Sequence, residues 1–276
     1  MSDPRATTIV ITGANTGIGR ATAAELASQG ARVILACRSE DKTRPVIDDI
    51  VARTGNDSVE FLALDLADLA SVRAAAATLL DRDDPIHVLI NNAGVAGQRG
   101  ETAQGFELAF GINHLGHFLF TDLLLDRLRA SAPARVINVS SDSHYQPKAI
   151  DWDAVRRPTA TVSGMREYGV SKLCNVLHAQ ELARRLADDG VVTASLHPGV
   201  IASDVWRRVP LPVRSVMKLF MKSTEEGART SVHCATTTDL VSGAFYTDER
   251  EKAPSKVATP ELAAELWERS EGWVAA

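Results

Sequence analysis

The sequence predicts an α/β fold, a single doubly wound parallel sheet of about seven strands with helices on both faces. Three observations carry this expectation. Short β-branched runs alternate with stretches of helical periodicity along the chain, the pattern that builds parallel βα units. A glycine-rich turn, Gly13-Ala14-Asn15-Thr16-Gly17-Ile18-Gly19, joins the first run to the first helical stretch. No repeat, linker or charge block divides the 276 residues, so one domain over 1–276 is expected.

Composition narrows the class. With 45% hydrophobic and 24% charged residues the chain can bury a sizeable core. Its 30 basic and 35 acidic residues leave a mild negative charge, which gives no argument for nucleic acid or a membrane surface. The start, MSDPRATTIVITG, has no apolar targeting region, and no stretch reaches the length of a membrane span. The expectation is a cytoplasmic protein without stable membrane insertion. Cys37, Cys174 and Cys234 are odd in number and lack paired spacing, so they read as reduced thiols rather than a disulfide or zinc framework.

Taken in order, residues 7–12 form a buried strand. The glycines after it let the backbone turn sharply and approach a phosphate, with the free N–H groups of a helix over 21–29 behind them. The same spacing also serves a plain tight βα connection. Residues 31–36 are the second strand, closed by Cys37-Arg38-Ser39. An acidic residue there would hold the ribose 2′-hydroxyl of NAD, whereas the guanidinium of Arg38 suits a 2′-phosphate, so NADP is expected over NAD. A helix over 42–53 and a strand over 58–64 follow. Asp65-Leu66 then lies where an adenine would sit, or Asp65 caps the helix over 69–80. The fourth strand, 87–90, runs into Asn91-Asn92-Ala93-Gly94, whose paired amides can bridge adjacent strands or simply make a turn.

A helix is expected over 106–128, although Asn113 and Gly116 are unfavourable inside one. Their presence points to a freed carbonyl or a local kink. His114 and His117 have the spacing of metal ligands, but no third ligand suggests itself, and they read as packed or hydrogen-bonded residues. The fifth strand, 135–139, ends in Ser140-Ser141, and 142–167 is an irregular excursion. The sixth strand, 191–196, leads to His197-Pro198-Gly199-Val200. Residues 205–221 suggest a short apolar helix, Thr224 a helix cap, 242–247 a last strand and 260–273 a terminal helix opening on Pro260 and Glu261.

Between these lies Tyr168-Gly-Val-Ser171-Lys172, at the head of a long helical pattern. Residues i and i+4 share a helix face. A phenol titrates at about 10 and carries protons poorly at neutral pH, and an ammonium nearby lowers that value. The pair is a means of making a tyrosine act as acid or base. Alone, such a pair is usually a solvated helix face.

The stretches TGANTGIG (12–19), NNAG (91–94), NHLGHF (113–118), VSS (139–141), YGVSK (168–172) and HPG (197–199) together resemble the short-chain dehydrogenase/reductase family. Within it, ACR (36–38), SKLCNVLHAQELARRL (171–186), LHPGVIASD (196–204) and EGARTSVHCA (226–235) are similar to the retinol dehydrogenase and WW-domain oxidoreductase branch. The resemblance implies a Rossmann sheet, a nicotinamide dinucleotide and an alcohol or carbonyl substrate. By it, Tyr168 exchanges a proton with the substrate oxygen and Ser141, rather than Ser140, hydrogen-bonds that oxygen. Lys172 lowers the tyrosine's pKa and holds the nicotinamide ribose, and Asn113 holds a water in a relay through Lys172. Gly13, Asn15, Thr16, Gly17, Ile18 and Gly19 line the pyrophosphate, and Arg38 takes the 2′-phosphate. Asp65 and Leu66 take the adenine, and Asn91 takes the ribose, with Ala93 and Gly94 beside it. Pro198, Gly199 and Val200 lie along the nicotinamide, with Val200 at the carboxamide.

The Ser141-to-Tyr168 interval is long for the family but is shared by this branch, and Ser203 stands where threonine is usual. Residues 200–223 correspond to the family's substrate lid, whose apolar character suits a lipophilic small molecule. The resemblance also implies self-association as a dimer or tetramer. A sensor or scaffold that binds a dinucleotide without chemistry is the alternative from another class.

Overall fold

The computed structural model describes residues 7–199 and 223–275. Eight strands form one sheet, β1 (Thr8–Thr12), β2 (Arg32–Cys37), β3 (Val59–Ala63), β4 (Val88–Asn91), β5 (Ala134–Val139), β6 (Val191–His197), β7 (Ala244–Thr247) and β8 (Arg250–Lys252). Their order across the sheet is β3-β2-β1-β4-β5-β6-β7-β8, parallel throughout except for β8, which runs antiparallel to β7. The order reverses between β1 and β4, the kind of switch point beyond whose carboxyl ends an open α/β sheet binds its ligand.

Successive residues of a strand face opposite sides, and β1 shows the consequence. Val10 packs into one apolar layer with Leu89, Val136 and Phe118, while Ile9 and Ile11 pack into the other with Leu26 and Ile50. Helices α1 (Gly17–Ser28), α2 (Glu40–Thr54) and α6 (Thr224–Thr236) cover the second layer. Helices α3 (Leu69–Leu80), α4 (Leu108–Ala130), α5 (Met165–Arg185) and α7 (Pro260–Ala275) cover the first. Each fully buried Leu or Phe contributes about 2 kcal/mol, and both layers hold many. Helix α4 is long and apolar enough to cross a membrane, but most of it is buried in this core.

Several local expectations change. The antiparallel β8 was not foreseen. It follows β7 through Asp248 and Glu249, both with positive φ (49° and 62°), a two-residue hairpin turn built without glycine. Helix α6 is capped by Ser223, not Thr224. The Ser223 hydroxyl accepts from the Glu226 amide at 3.1 Å and Glu226 Oε2 accepts from the Ser223 amide at 2.9 Å, a reciprocal box that needs this three-residue offset. Helix α1 starts at Gly17 and α5 at Met165, each earlier than the periodicity suggests. Asp68, not Asp65, caps α3 by accepting from the Ala70 amide. Val200, Ser203 and the apolar stretch 205–221 lie outside the described residues.

Helix α4 is not regular. Gly111–Leu115 forms a π-turn. Gly111 and Gly116 flank it for steric reasons, since a Cβ would fall 2.2 Å from Thr102 Cγ2 and 2.6 Å from the Leu66 carbonyl, respectively. The tolerated Asn and Gly thus mark a real break in the ladder, of the kind that gathers at functional sites.

Candidate active site

The site is built at the switch point, from the ends of β1, β4 and β5 and from one face of α5. After β1 the chain turns through Gly13 (φ +65°) and Gly17 (φ +56°) into α1. A Cβ on Gly13 would lie 2.9 Å from the Ala93 Cα, so the turn lies against the segment after β4. Asn92 ties the two together, its Nδ2 donating to the Thr12 carbonyl at 2.8 Å. The Thr12 hydroxyl accepts from the amides of Asn92 and Ala93 at 3.0 and 2.9 Å.

The turn suits a dinucleotide phosphate. Among the described residues nothing stands within 4 Å of where a side chain on Gly17 would be, and Thr16 makes no side-chain cap, so the first amides of α1 have no side-chain partner there. Asn15, Thr16 and Ile18 lie on this open turn, each at least partly exposed, while Gly19 is buried. A Cβ on Gly19 would fall 2.5 Å from Asn92 Nδ2. Arg38, past the end of β2, is exposed and makes no ion pair or hydrogen bond among the described residues. The Cys37 thiol is buried and pushed upward by desolvation, and the amides of Gly13, Ala14 and Asn15 pack against it.

The residues expected at the ribose and adenine make contacts of their own within the fold. Both Asn91 amide hydrogens are committed, to the Thr121 hydroxyl and to Asn138 Oδ1 at 2.9 Å each, and the side chain is buried. Its amide hydrogens brace β4 against β5, while its Oδ1 is buried without a hydrogen-bond partner among the described residues. Leu66 is buried against Gly116, and Asp65 Oδ1 accepts from the Ala67 amide, which shapes the loop after β3. Pro198 and Gly199 (φ +95°) close the described segment after β6.

On α5, Tyr168, Ser171, Lys172 and Asn175 share a face. Lys172 is buried, its Nζ donating to the Val139 carbonyl at 2.8 Å and standing 5.7 Å from the Tyr168 ring centre. Asn175 Nδ2 donates to the same carbonyl at 3.0 Å. Desolvation pulls the Lys172 amine down to about 7. Tyr168 is half-buried, and burial pushes its phenol upward, while a hydrogen bond with Ser141 acts the other way. The expected lowering of the phenol by Lys172 has no counterpart here: burial raises the phenol, the Ser141 hydrogen bond opposes that rise, and the group brought near neutrality is the amine.

The two serines after β5 separate cleanly. Ser140 is buried and donates to the Lys172 carbonyl at 2.7 Å. Ser141 is partly exposed and sits beside the phenol, its hydroxyl accepting from the Ser143 amide at 3.2 Å. Asn113, within the π-turn, accepts from the Val95 amide at 2.8 Å and donates to the Val95 carbonyl and the Ser171 hydroxyl at 3.0 and 2.9 Å. That commits its side chain and leaves it no donor for a water. Gly94 fits between Asn113 and Lys172, since a Cβ would stand 3.2 Å from the one and 3.4 Å from the other.

A phenol, a hydroxyl and an amine titrating near neutrality thus converge beside a phosphate-sized turn. The model of the short chain dehydrogenase family matches residues 7–151. Retinol dehydrogenase 12 of Mus musculus is 45% identical over 267 residues, covering 94% of this chain and 83% of the relative. The chain belongs to the short-chain dehydrogenase family. Human retinol dehydrogenase 11 is 44% identical, with 95% and 84% covered. The crystal structure of an uncharacterised protein from Mycobacterium paratuberculosis superposes with a TM-score of 0.78 at 36% identity, over 98% of this chain and 94% of that one. This short-chain dehydrogenase falls in the retinol dehydrogenase-like branch, and it is an oxidoreductase acting on CH–OH groups with a nicotinamide dinucleotide.

Ser171, Asn175, Thr12 and His117 are parts of the site that motif reading passed over. The first two had a signal, polar residues at i+3 and i+7 from Tyr168 on the same helix face. Thr12 and His117 both fall within motifs, TGANTGIG and NHLGHF, but nothing in the sequence pairs them, because their partnership spans 105 positions.

Proposed function

We propose that the chain is an NADP(H)-dependent oxidoreductase that interconverts a lipophilic alcohol and its carbonyl, with Tyr168 as the acid/base. The observation that carries this reading is the meeting of Tyr168, Ser141 and the buried Lys172 at the carboxyl ends of β4 and β5. NADP is favoured over NAD by Arg38, which is exposed and unpaired among the described residues, a planar donor fork suited to a phosphate. The lipophilic substrate is supported by the relatives, whose names specify retinol, and by the apolar sequence at 205–221.

The nicotinamide, when bound, takes up or delivers the hydride. Gly13, Gly17 and Gly19 would admit its pyrophosphate and Lys172 would face its ribose. The protein's own part is the proton and the oxygen. In oxidation Tyr168 would accept the alcohol proton as its phenolate while the carbon gives up its hydride, and in reduction the phenol would give its proton to the forming alkoxide. The Ser141 hydroxyl donates a hydrogen bond to the oxygen on which charge develops. An amine that titrates at about 7 can take up and release a proton at physiological pH, which suits Lys172 to pass protons on behind Tyr168. The test is Tyr168→Phe, assayed by NADPH absorbance on a panel of apolar aldehydes and alcohols. Turnover should fall by about 100-fold or more with NADPH affinity nearly unchanged. Full turnover in the variant would refute the role, and an inert wild type that still binds NADPH would favour a dinucleotide sensor.

A further inference from the structure

We propose that His117 is a positioning residue that links the turn holding the cofactor phosphates to the helix carrying Tyr168, through Asn113 and Ser171. The inference rests on the functional reading above and adds to it a role for His117, which lies within NHLGHF but has no role in that reading.

The link is a continuous run of hydrogen bonds. At one end the amides of Asn92 and Ala93 donate to the Thr12 hydroxyl. Thr12 Oγ1 meets His117 Nε2 at 2.8 Å. His117 Nδ1 meets the Asn113 carbonyl at 3.0 Å. Asn113 Nδ2 donates to the Ser171 hydroxyl at 2.9 Å, and Ser171 donates to the Tyr168 carbonyl at 2.8 Å.

The donors and acceptors can be assigned without ambiguity. A carbonyl only accepts, so His117 Nδ1 carries the proton. Nε2 is then the acceptor, and the Thr12 hydroxyl donates to it. That agrees with Thr12 Oγ1 already accepting two amides. One neutral tautomer satisfies every atom. Burial holds the imidazole at about 3, so this tautomer stays uncharged across physiological pH, which excludes proton transfer and leaves placement as its work. Thr12, Asn113 and His117 are all buried, so a partner lost here is not replaced by solvent. The π-turn at Gly111–Leu115 contains the carbonyl that His117 holds, and the Asn113 side chain, clamped on Val95, reaches Ser171 from the same turn.

The two arms can be cut separately. In His117→Asn the amide nitrogen stands near the place of Nδ1 and can hold the Asn113 carbonyl, while the arm to Thr12 is lost. In His117→Gln the amide oxygen stands near the place of Nε2 and can accept from Thr12, while the arm to Asn113 is lost. NADPH dissociation constants, kcat and thermal midpoints would be measured for both. The Asn variant should weaken NADPH binding about tenfold with kcat within about threefold of wild type. The Gln variant should keep NADPH affinity and lose about tenfold or more in kcat. A residue that merely fills space would move both quantities together, in step with the thermal midpoint, and that result, or no change in either variant, would overturn the proposal. If neither variant folds, Ser171→Ala, which alanine's helix propensity favours, should lower kcat without changing NADPH affinity. Unchanged kcat there would overturn it. A wild type that binds NADPH but turns over no substrate would refute the function, yet the Thr12 arm would still be read by NADPH affinity in His117→Asn. Unchanged affinity in that variant would sink the inference.

Discussion

Replacing Lys172 by methionine isolates the cost of burying the amine. In the folded protein the amine titrates at about 7, against its ordinary value of 10.5. Between those two pH values the unfolded chain holds one more proton than the folded one, so wild-type stability rises with pH through this window, by about 1.4 kcal/mol per pH unit at most. The whole window amounts to about 5 kcal/mol. Below pH 7 that cost is borne in full, and above 10 it is gone. Methionine has a similar length and no charge to desolvate, but it forfeits the 2.8 Å bond to the Val139 carbonyl, about 1 kcal/mol. At pH 6 the variant should therefore be more stable by up to about 4 kcal/mol, of the order of 10 °C in Tm for a chain of this size. The advantage should shrink steadily towards pH 10. Circular-dichroism melts of both proteins at pH 6, 7, 8 and 9 give the difference directly, since groups common to the two cancel. A difference independent of pH, or a variant less stable at pH 6, would refute the reasoning. Turnover should be lost at every pH.

Three further expectations concern the site. Arg38→Ala should raise the NADPH dissociation constant about 10- to 100-fold, the loss of a charge-assisted bond, and leave NADH binding unchanged in a fluorescence titration. Ser141→Ala should cut kcat about 100-fold, whereas Ser140→Ala, which removes the bond to the Lys172 carbonyl, should cost about 1 kcal/mol in urea unfolding with kcat retained. Gly19→Ala would place a methyl 2.6 Å from the Gly13 carbonyl, so denaturant unfolding should show a loss of about 1–3 kcal/mol together with weaker NADPH binding.

Much of this architecture was legible because its causes are local. The β-branched runs, the glycine turn after β1 and the long α5 pattern each state their structure within a dozen residues. Tyr168 and Lys172 were found because a helix brings i and i+4 together. The odd Asn113 and Gly116 announced a break in α4, and the π-turn is that break. What escaped depends on distance along the chain or on burial. Asn91 stands at the ribose by resemblance, and only the fold shows Thr121 and Asn138 taking both of its amide hydrogens. The direction of the Tyr168 shift depends on how completely the phenol is enclosed, which spacing does not encode. The hairpin to β8 escaped because Asp248 and Glu249 adopt positive φ without the glycine that usually marks such a turn.

That last hairpin also bears on how copies of the chain can meet. The sheet ends on Arg250, Glu251 and Lys252, all three exposed. Unpaired strand rims invite a neighbour to continue the ladder, and a short, charged terminal strand discourages it by stranding ions in the new seam. Growth of the sheet across this border is thereby discouraged.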